Sequence, residues 1–161
     1  MGKEEYVTYE QKMSDYIDGD CIEAEITGFD TSCHSVEDAV STVGCKPDEL
    51  VKNICMYDST LDRLIVAIVL GNSKVSRKKV ARAINAPMPE FATQQQIESM
   101  TGYLVGGVPP FGYTAVFIID ERVMSKNVVF ASAGSPYTLM EIPPSEILKA
   151  NEGIVYNIGK K

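Results

Sequence analysis

Two segments of this chain combine residue types that could do chemistry. Lys52 stands inside an alternating run, Val51 to Tyr57, on the same side as Ile54 and Met56, while Val51, Asn53, Cys55 and Tyr57 face the other way. A lysine among apolar neighbours is costly to bury unless it meets a partner or lines a pocket. The plainer alternative is a lysine reaching water from a sheet edge. The second segment runs from Thr101 to Gly112 and holds four glycines and two prolines among apolar residues. Glycine permits left-handed torsions and close backbone approach, and proline stiffens. Such a loop can aim several amide N–H groups at one oxygen, as an oxyanion or a phosphate requires. The same composition also serves a tight helix-to-strand connection.

Other chemistry-bearing residues give weaker signals. Ser132-Ala133-Gly134-Ser135-Pro136 closes a strand with small residues and hydroxyls, as many turns do. His34 is the only histidine, so any histidine-dependent triad must use it. Beside Ser35 at a helix start, a surface or capping-region place is the expectation for it rather than general-base work. Cys21, Cys33, Cys45 and Cys55 form no Cys-x-x-Cys pair and are expected as reduced thiols. Adjacent Cys33 and His34 fit no standard zinc spacing, so no metal and no cofactor are expected.

These residues need elements to position them. Lys3 to Tyr16 is expected as a helix broken at Asp18-Gly19-Asp20, and Cys21 to Phe29 as a strand. Ser35 can cap a helix that runs to Val43 and stops at Gly44, with Asp38 at the capping-box position. Pro47-Asp48-Glu49 begins a short turn. Val51 to Tyr57 and Arg63 to Leu70 form a hairpin around Asp58-Ser59-Thr60. Ser76 to Asn85 reads as a helix with a basic side of Arg77, Lys78, Lys79 and Arg82, a solvated face or a phosphate contact. Thr93 to Met100 is another helix. Val116 to Ile119, Val128 to Ser132, Thr138 to Ile142 and Ile154 to Ile158 are strands, and Ser145 to Ala150 a short helix. Mixed elements without regular alternation favour an α+β domain, and no dinucleotide or Walker phosphate loop is present.

The bulk properties narrow the function. A chain of 161 residues suits one domain with a core of its own. Its formal net charge of -7 argues against broad contact with duplex nucleic acid, DNA included, but leaves room for a local contact with a single-stranded RNA end. No run approaches the roughly 18 apolar residues of a membrane span. The start lacks the apolar stretch of a secretory signal, and Tyr6 stands where an acylated Gly2 would want Ser or Thr. A cytoplasmic, membrane-free protein is expected.

In this order, SVEDAV, ELVKNICMYD, KVSRKKVARAINA, TGYLVGGVPPFGY, VVFASAGS and EIPPSEILK resemble the YbaK family and the related editing domain inserted in bacterial prolyl-tRNA synthetases. The resemblance covers Cys21 to Ile158, and the glycine-proline loop is its most specific piece. It implies a single α+β domain whose mixed, mostly antiparallel, barrel-like sheet is flanked by helices, with residues 1–20 a helical extension and 21–161 the editing domain. It implies metal-free hydrolysis of the ester joining a wrong amino acid to transfer RNA. Lys52 would hold the phosphate or ribose end. The family's Gly-x-x-x-Pro loop falls on Gly106 to Pro110, so Gly106 and Gly107 would steady the developing negative charge, with Val108 and Pro110 beside the substrate. Ser132 and Gly134 match the far wall. Two positions depart. A family aspartate falls on Leu139, and a first-strand tyrosine has only Gly28-Phe29 to meet it. Both shape amino-acid choice, so alanine is as open as cysteine on a proline-accepting tRNA. The attacking group would be water or a thiol of the substrate.

The implied partners are the CCA end of aminoacyl-tRNA and, beside it, a prolyl-tRNA synthetase or an elongation factor. The chain would be a monomer or homodimer, with Phe111 and Tyr113 a surface for a partner or second copy. Two other readings compete: a non-catalytic module that grips an aminoacyl or nucleotide end, and a thiol-redox protein.

Overall fold

The computed structural model describes residues 3–160. Met1-Gly2, on which the acylation reading falls, and Lys161 lie outside the described residues. The chain opens with a 3-10 turn, Lys3–Tyr6, that runs into helix α1, Val7–Gly19. Strand β1 is Glu25–Gly28, shorter than the alternation of Cys21 to Phe29 suggested and exposed along its length. Helix α2, Val36–Val43, starts where Ser35 accepts the Asp38 amide and stops at left-handed Gly44. A 3-10 turn, Pro47–Glu49, leads into β2, Val51–Asp58, and then β3, Arg63–Leu70. Strand β4, Lys74–Val75, precedes helix α3, Arg77–Ile84, which Ser76 caps.

Strand β5, Glu90–Phe91, precedes helix α4, Gln94–Thr101, which is closed at its start by a Thr93–Gln96 capping box and at its end by left-handed Gly102. Then follow β6, Val116–Asp120; helix α5, Glu121–Met124; β7, Val129–Ser132; and β8, Thr138–Ile142. Helix α6 is Pro144–Asn151, and β9, Ile154–Tyr156, and β10, Gly159–Lys160, end the chain. The two-residue strands and α5 are too short to leave a periodic signal, and the sequence reading missed them.

The strands form three sheets. One has the order β5-β2-β3-β6-β9, another β1-β8-β7, and β10 pairs with β4. Most pairings are antiparallel; β3 with β6 and β6 with β9 are parallel. The domain is α+β as expected, but the sheets do not close, so the barrel-like expectation is corrected to separate, open sheets.

The β2–β3 hairpin is the spine, and burial sorts its side chains by face. Val51 and Cys55 join the large core with Leu64, Val66 and Ile68. Ile54 and Met56 join a smaller cluster with Ile65, Ala67 and Val80 under α3. Removing these surfaces from water is the main stabilising term, about 25 cal/mol per Å² of apolar area.

Helix α1 is seated in the large core through Met13 and Ile17. Its Tyr16 ring stacks on Phe111 at 5.8 Å, and its Glu10 carboxylate accepts from the Ser135 hydroxyl. Lys12 donates to the Gly102 carbonyl and lies 4.5 Å from the Tyr103 ring centre. Phe111 is wholly buried and the Tyr113 hydroxyl donates to the Pro109 carbonyl at 2.7 Å. Phe111 is thus core, which corrects its reading as partner surface: the aromatics brace the loop from within.

Candidate functional site

A cavity of about 230 Å³ opens where the start of β2 meets the start of α2 and the glycine-proline loop. Its walls are mostly apolar: Val36 and Ala39 from α2, Leu50, Val51 and Cys55 around β2, Ile97 from α4, Val105 and Val108 from the loop, and Leu139 from β8. The polar groups are few, namely His34, Ser35, Lys52, Asn53 and Ser132, and no carboxylate is among the lining residues.

Lys52 reaches this cavity because of its place in the sheet. It pairs with Val69 of β3 on one side, whereas β5 covers β2 only at Met56 and Tyr57. The other edge of β2 is therefore free of β5 at Lys52. The lysine is half-buried, and burial first, then the charge of Lys74, holds its ammonium below the ordinary lysine value. No ion pair or side-chain hydrogen bond engages it among the described residues. Lys52 thus lines a pocket at a stretch of β2 that β5 does not reach, next to the Leu50–Phe130 bridge to β7.

Gly106 has φ +96, a left-handed torsion that a side chain would strain. A Cβ placed there would stand 2.4 Å from His34 Nδ1, so the imidazole lies directly on the loop. His34 is exposed, as expected, yet it lines the cavity, which the sequence reading did not anticipate. Neither ring nitrogen has a hydrogen-bond partner among the described residues.

The other glycines serve packing. The Gly134 amide donates to the Gly107 carbonyl at 3.0 Å, and a Cβ at Gly107 would come within 2.6 Å of the Gly134 backbone. A Cβ at Gly134, whose φ is +103, would stand 2.6 Å from the Tyr9 carbonyl of α1. The two glycine segments and α1 thus pack backbone to backbone.

Asn53 fixes the loop from the sheet side: its Nδ2 donates to the Val108 carbonyl at 2.8 Å. Its Oδ1 is buried without a hydrogen-bond partner among the described residues. A polar residue on the core-facing side of β2 was a signal for this role.

Of the residues singled out from sequence, Lys52, Gly106, Val108, Ser132 and Leu139 line the cavity. Gly107 and Gly134 lie behind it as the backbone contact just described. Pro110 is buried away from the lining, and its carbonyl accepts from Asn151 at 3.0 Å. Phe29 packs with Cys33, Ala39, Leu50 and Leu139 and supports the wall rather than forming it. His34, Asn53 and Val105 are among the lining residues that the sequence reading did not place at the site.

The thiols show no sign of activation. Burial pushes Cys55 up to about 12 and raises Cys33 and Cys45. Cys21 is exposed but does not line the cavity. Among the described residues no three His, Cys, Asp or Glu side chains gather as a metal would need, and no helix is long and apolar enough to cross a membrane.

Solved structures share this fold. At TM-score 0.85 and 20% identity, the chain matches a structure described as "a putative trans-editing enzyme for prolyl tRNA synthetase", with 95% of this chain and 98% of that one covered. Among curated relatives, YwhH of Bacillus subtilis, described as uncharacterized, is 27% identical over 127 residues, 78% of this chain and 80% of that protein. "Putative Cys-tRNA(Pro)/Cys-tRNA(Cys) deacylase EbsC" of Enterococcus faecalis is 26% identical over 121 residues, 74% of this chain and 73% of that protein. The proline--tRNA ligase of Bacillus licheniformis is 25% identical over 107 residues, 66% of this chain but only 18% of the ligase. Residues 30–150, which carry every cavity-lining residue, match the aminoacyl-tRNA editing domain, and the chain belongs to that family.

Proposed function

We propose that this protein is an aminoacyl-tRNA deacylase that removes a wrong amino acid in trans. The observation that carries the reading is the convergence of unpartnered polar ends on one small apolar cavity. Lys52, His34 and Ser132 all belong to its lining, and the ammonium, imidazole and hydroxyl of these side chains have no internal hydrogen-bond partner among the described residues. Few polar groups in an apolar recess are the usual make-up of a site that orients a small ligand.

The size suits an aminoacyl group, since a drug-sized ligand fills about 300–1,000 Å³. Lys52 supplies the cation that a terminal phosphate or ribose oxygen would meet, and the absence of lining carboxylates keeps that end of the site favourable to an anion. The Gly106 segment would stand along the ester, where an amide N–H aimed at a developing oxyanion is worth about 3 kcal/mol; the Gly107 amide expected for this role instead donates to the Leu104 carbonyl and the Val105 amide to Glu98. The raised thiols leave water, or the substrate's own side chain, as the attacking group.

Leu139 makes the wall apolar where the resembled family carries an aspartate, so cysteine and alanine on tRNA(Pro) both remain candidates. The partners in this reading are the CCA end and, beside it, a prolyl-tRNA synthetase or an elongation factor in the cytoplasm. The net charge of -7 fits an enzyme that grips little more than that end.

The test is release of labelled amino acid from Ala-, Cys- and Ser-tRNA(Pro), each set against Pro-tRNA(Pro). Rapid release of one wrong amino acid with Pro-tRNA(Pro) spared is expected. Binding to every member without release would favour the non-catalytic module.

A further inference from the structure

Resting on the deacylase reading, we propose that His34 is the proton acceptor for the water that attacks the ester. Three observations carry this. The imidazole lines the cavity. It lies on Gly106, a left-handed residue of the loop that would stand along the ester. Its ring nitrogens have no partner among the described residues, so one can hold a water.

The remaining lining groups are poorly suited. Cys33 and Cys55 are buried thiols, Ser132 is a hydroxyl, and Lys52 is the cation for the substrate's anionic end. Imidazole alone among unperturbed side chains exchanges a proton in the neutral range. The charged and titratable groups on the elements that meet at it are Lys52 of β2, Cys33 beside it, Asp38 on the first turn of α2, and Glu98 of α4, whose carboxylate accepts the Val105 amide at 3.2 Å.

The step balances. A ring nitrogen of neutral His34 takes a proton from water as the oxygen bonds to the ester carbonyl carbon, giving a tetrahedral oxyanion against the loop. The oxyanion collapses, the bond to the ribose oxygen breaks, and that oxygen takes the proton from the imidazolium. Free amino acid and a terminal ribose hydroxyl leave, and His34 is neutral again. Contact with the loop also explains the demand at position 106, because a side chain there would displace the ring as well as strain the backbone.

The experiment compares wild type with His34→Ala and His34→Gly on a mischarged tRNA that wild type deacylates. A proton acceptor contributes about 10²–10⁴-fold, so His34→Ala is expected to lower kcat at least about a hundredfold with KM little changed. The wild-type rate should fall on the acid side, where a proton acceptor is already protonated, and the variant should lose that limb. The substrate's own α-amine titrates alike in both proteins, which separates the two contributions. Added imidazole should restore His34→Gly, a result that a packing role alone does not produce. A His34→Ala rate within about threefold of wild type, or an acid limb unchanged in the variant, overturns the assignment and leaves the deacylase reading standing. A wild type that releases nothing from any tRNA overturns both.

Discussion

Lys52 has two roles to reconcile, since a strand residue that faces apolar neighbours must also keep a usable charge. The gap between β5, whose pairing with β2 ends at Met56, and the β7 bridge at Leu50 resolves the conflict by leaving the side chain a way to the cavity. Its depressed pKa has a functional consequence. A ligand phosphate needs the protonated form, so affinity for a non-hydrolysable aminoacyl-end analogue should weaken as pH rises through the alkaline range, earlier than for a lysine in water. Titration calorimetry across that range checks it; unchanged affinity would show that Lys52 does not meet the ligand. Cys55 lies at the other extreme. With its pKa raised to about 12 it carries about a thousandfold less thiolate at neutral pH than an ordinary thiol, so Cys55→Ser should keep deacylation near wild type, and iodoacetamide mapping should find Cys55 unmodified. Lys52 was legible because charge breaks an apolar alternation. His34 was not, because nothing local distinguishes an exposed histidine before a helix cap from one that folds over a loop about 70 residues away.

At the scale of elements, the site depends on loops held by backbone contact. Gly107 and Gly134 allow the glycine-proline loop and the Ser132–Pro136 segment to meet, and Gly134 admits α1 as a third member. Gly134→Ala forces an unfavourable torsion and pushes against the Tyr9 carbonyl. It should destabilise by about 1–3 kcal/mol and lower deacylation as the loop shifts. A thermal melt paired with the activity assay reads both effects. Asn53→Leu should leave the Val108 carbonyl without its donor at a cost of about 1–3 kcal/mol and blunt kcat more than a surface substitution of equal cost would. The hairpin, α2, α3 and α4 followed the sequence signals closely, since caps, glycine stops and alternation are local physics. The two-residue strands β4, β5 and β10 and the truncation of β1 did not, because pairing partners distant in the chain decide them.

For the whole molecule, the proposed action on RNA requires an acidic chain to concentrate its favourable charge. The basic side of α3 contributes less than its composition suggests: Arg77 is taken up by Pro89, Glu90 and the Phe91 ring, and Lys79 by Gly159 and Asn157. Contact with few phosphates predicts a shallow dependence of log affinity on log salt, a slope of about 1–3 where broad duplex binders approach 10. A filter-binding series in salt measures it, and a steep slope would indicate a wider RNA interface than the cavity mouth. The α+β class was legible from mixed periodicities, whereas three open sheets in place of a barrel-like one emerge only when strand pairing is known. The central claim, that catalysis sits at the Lys52 cavity, is tested most directly by single-turnover deacylation of the preferred mischarged tRNA with wild type and Lys52→Ala. The account predicts that the variant keeps its fold and melting temperature and loses at least about a hundredfold in rate, of the size that removal of a charge-stabilising group costs. A folded Lys52→Ala protein that releases the amino acid at the wild-type rate would contradict it.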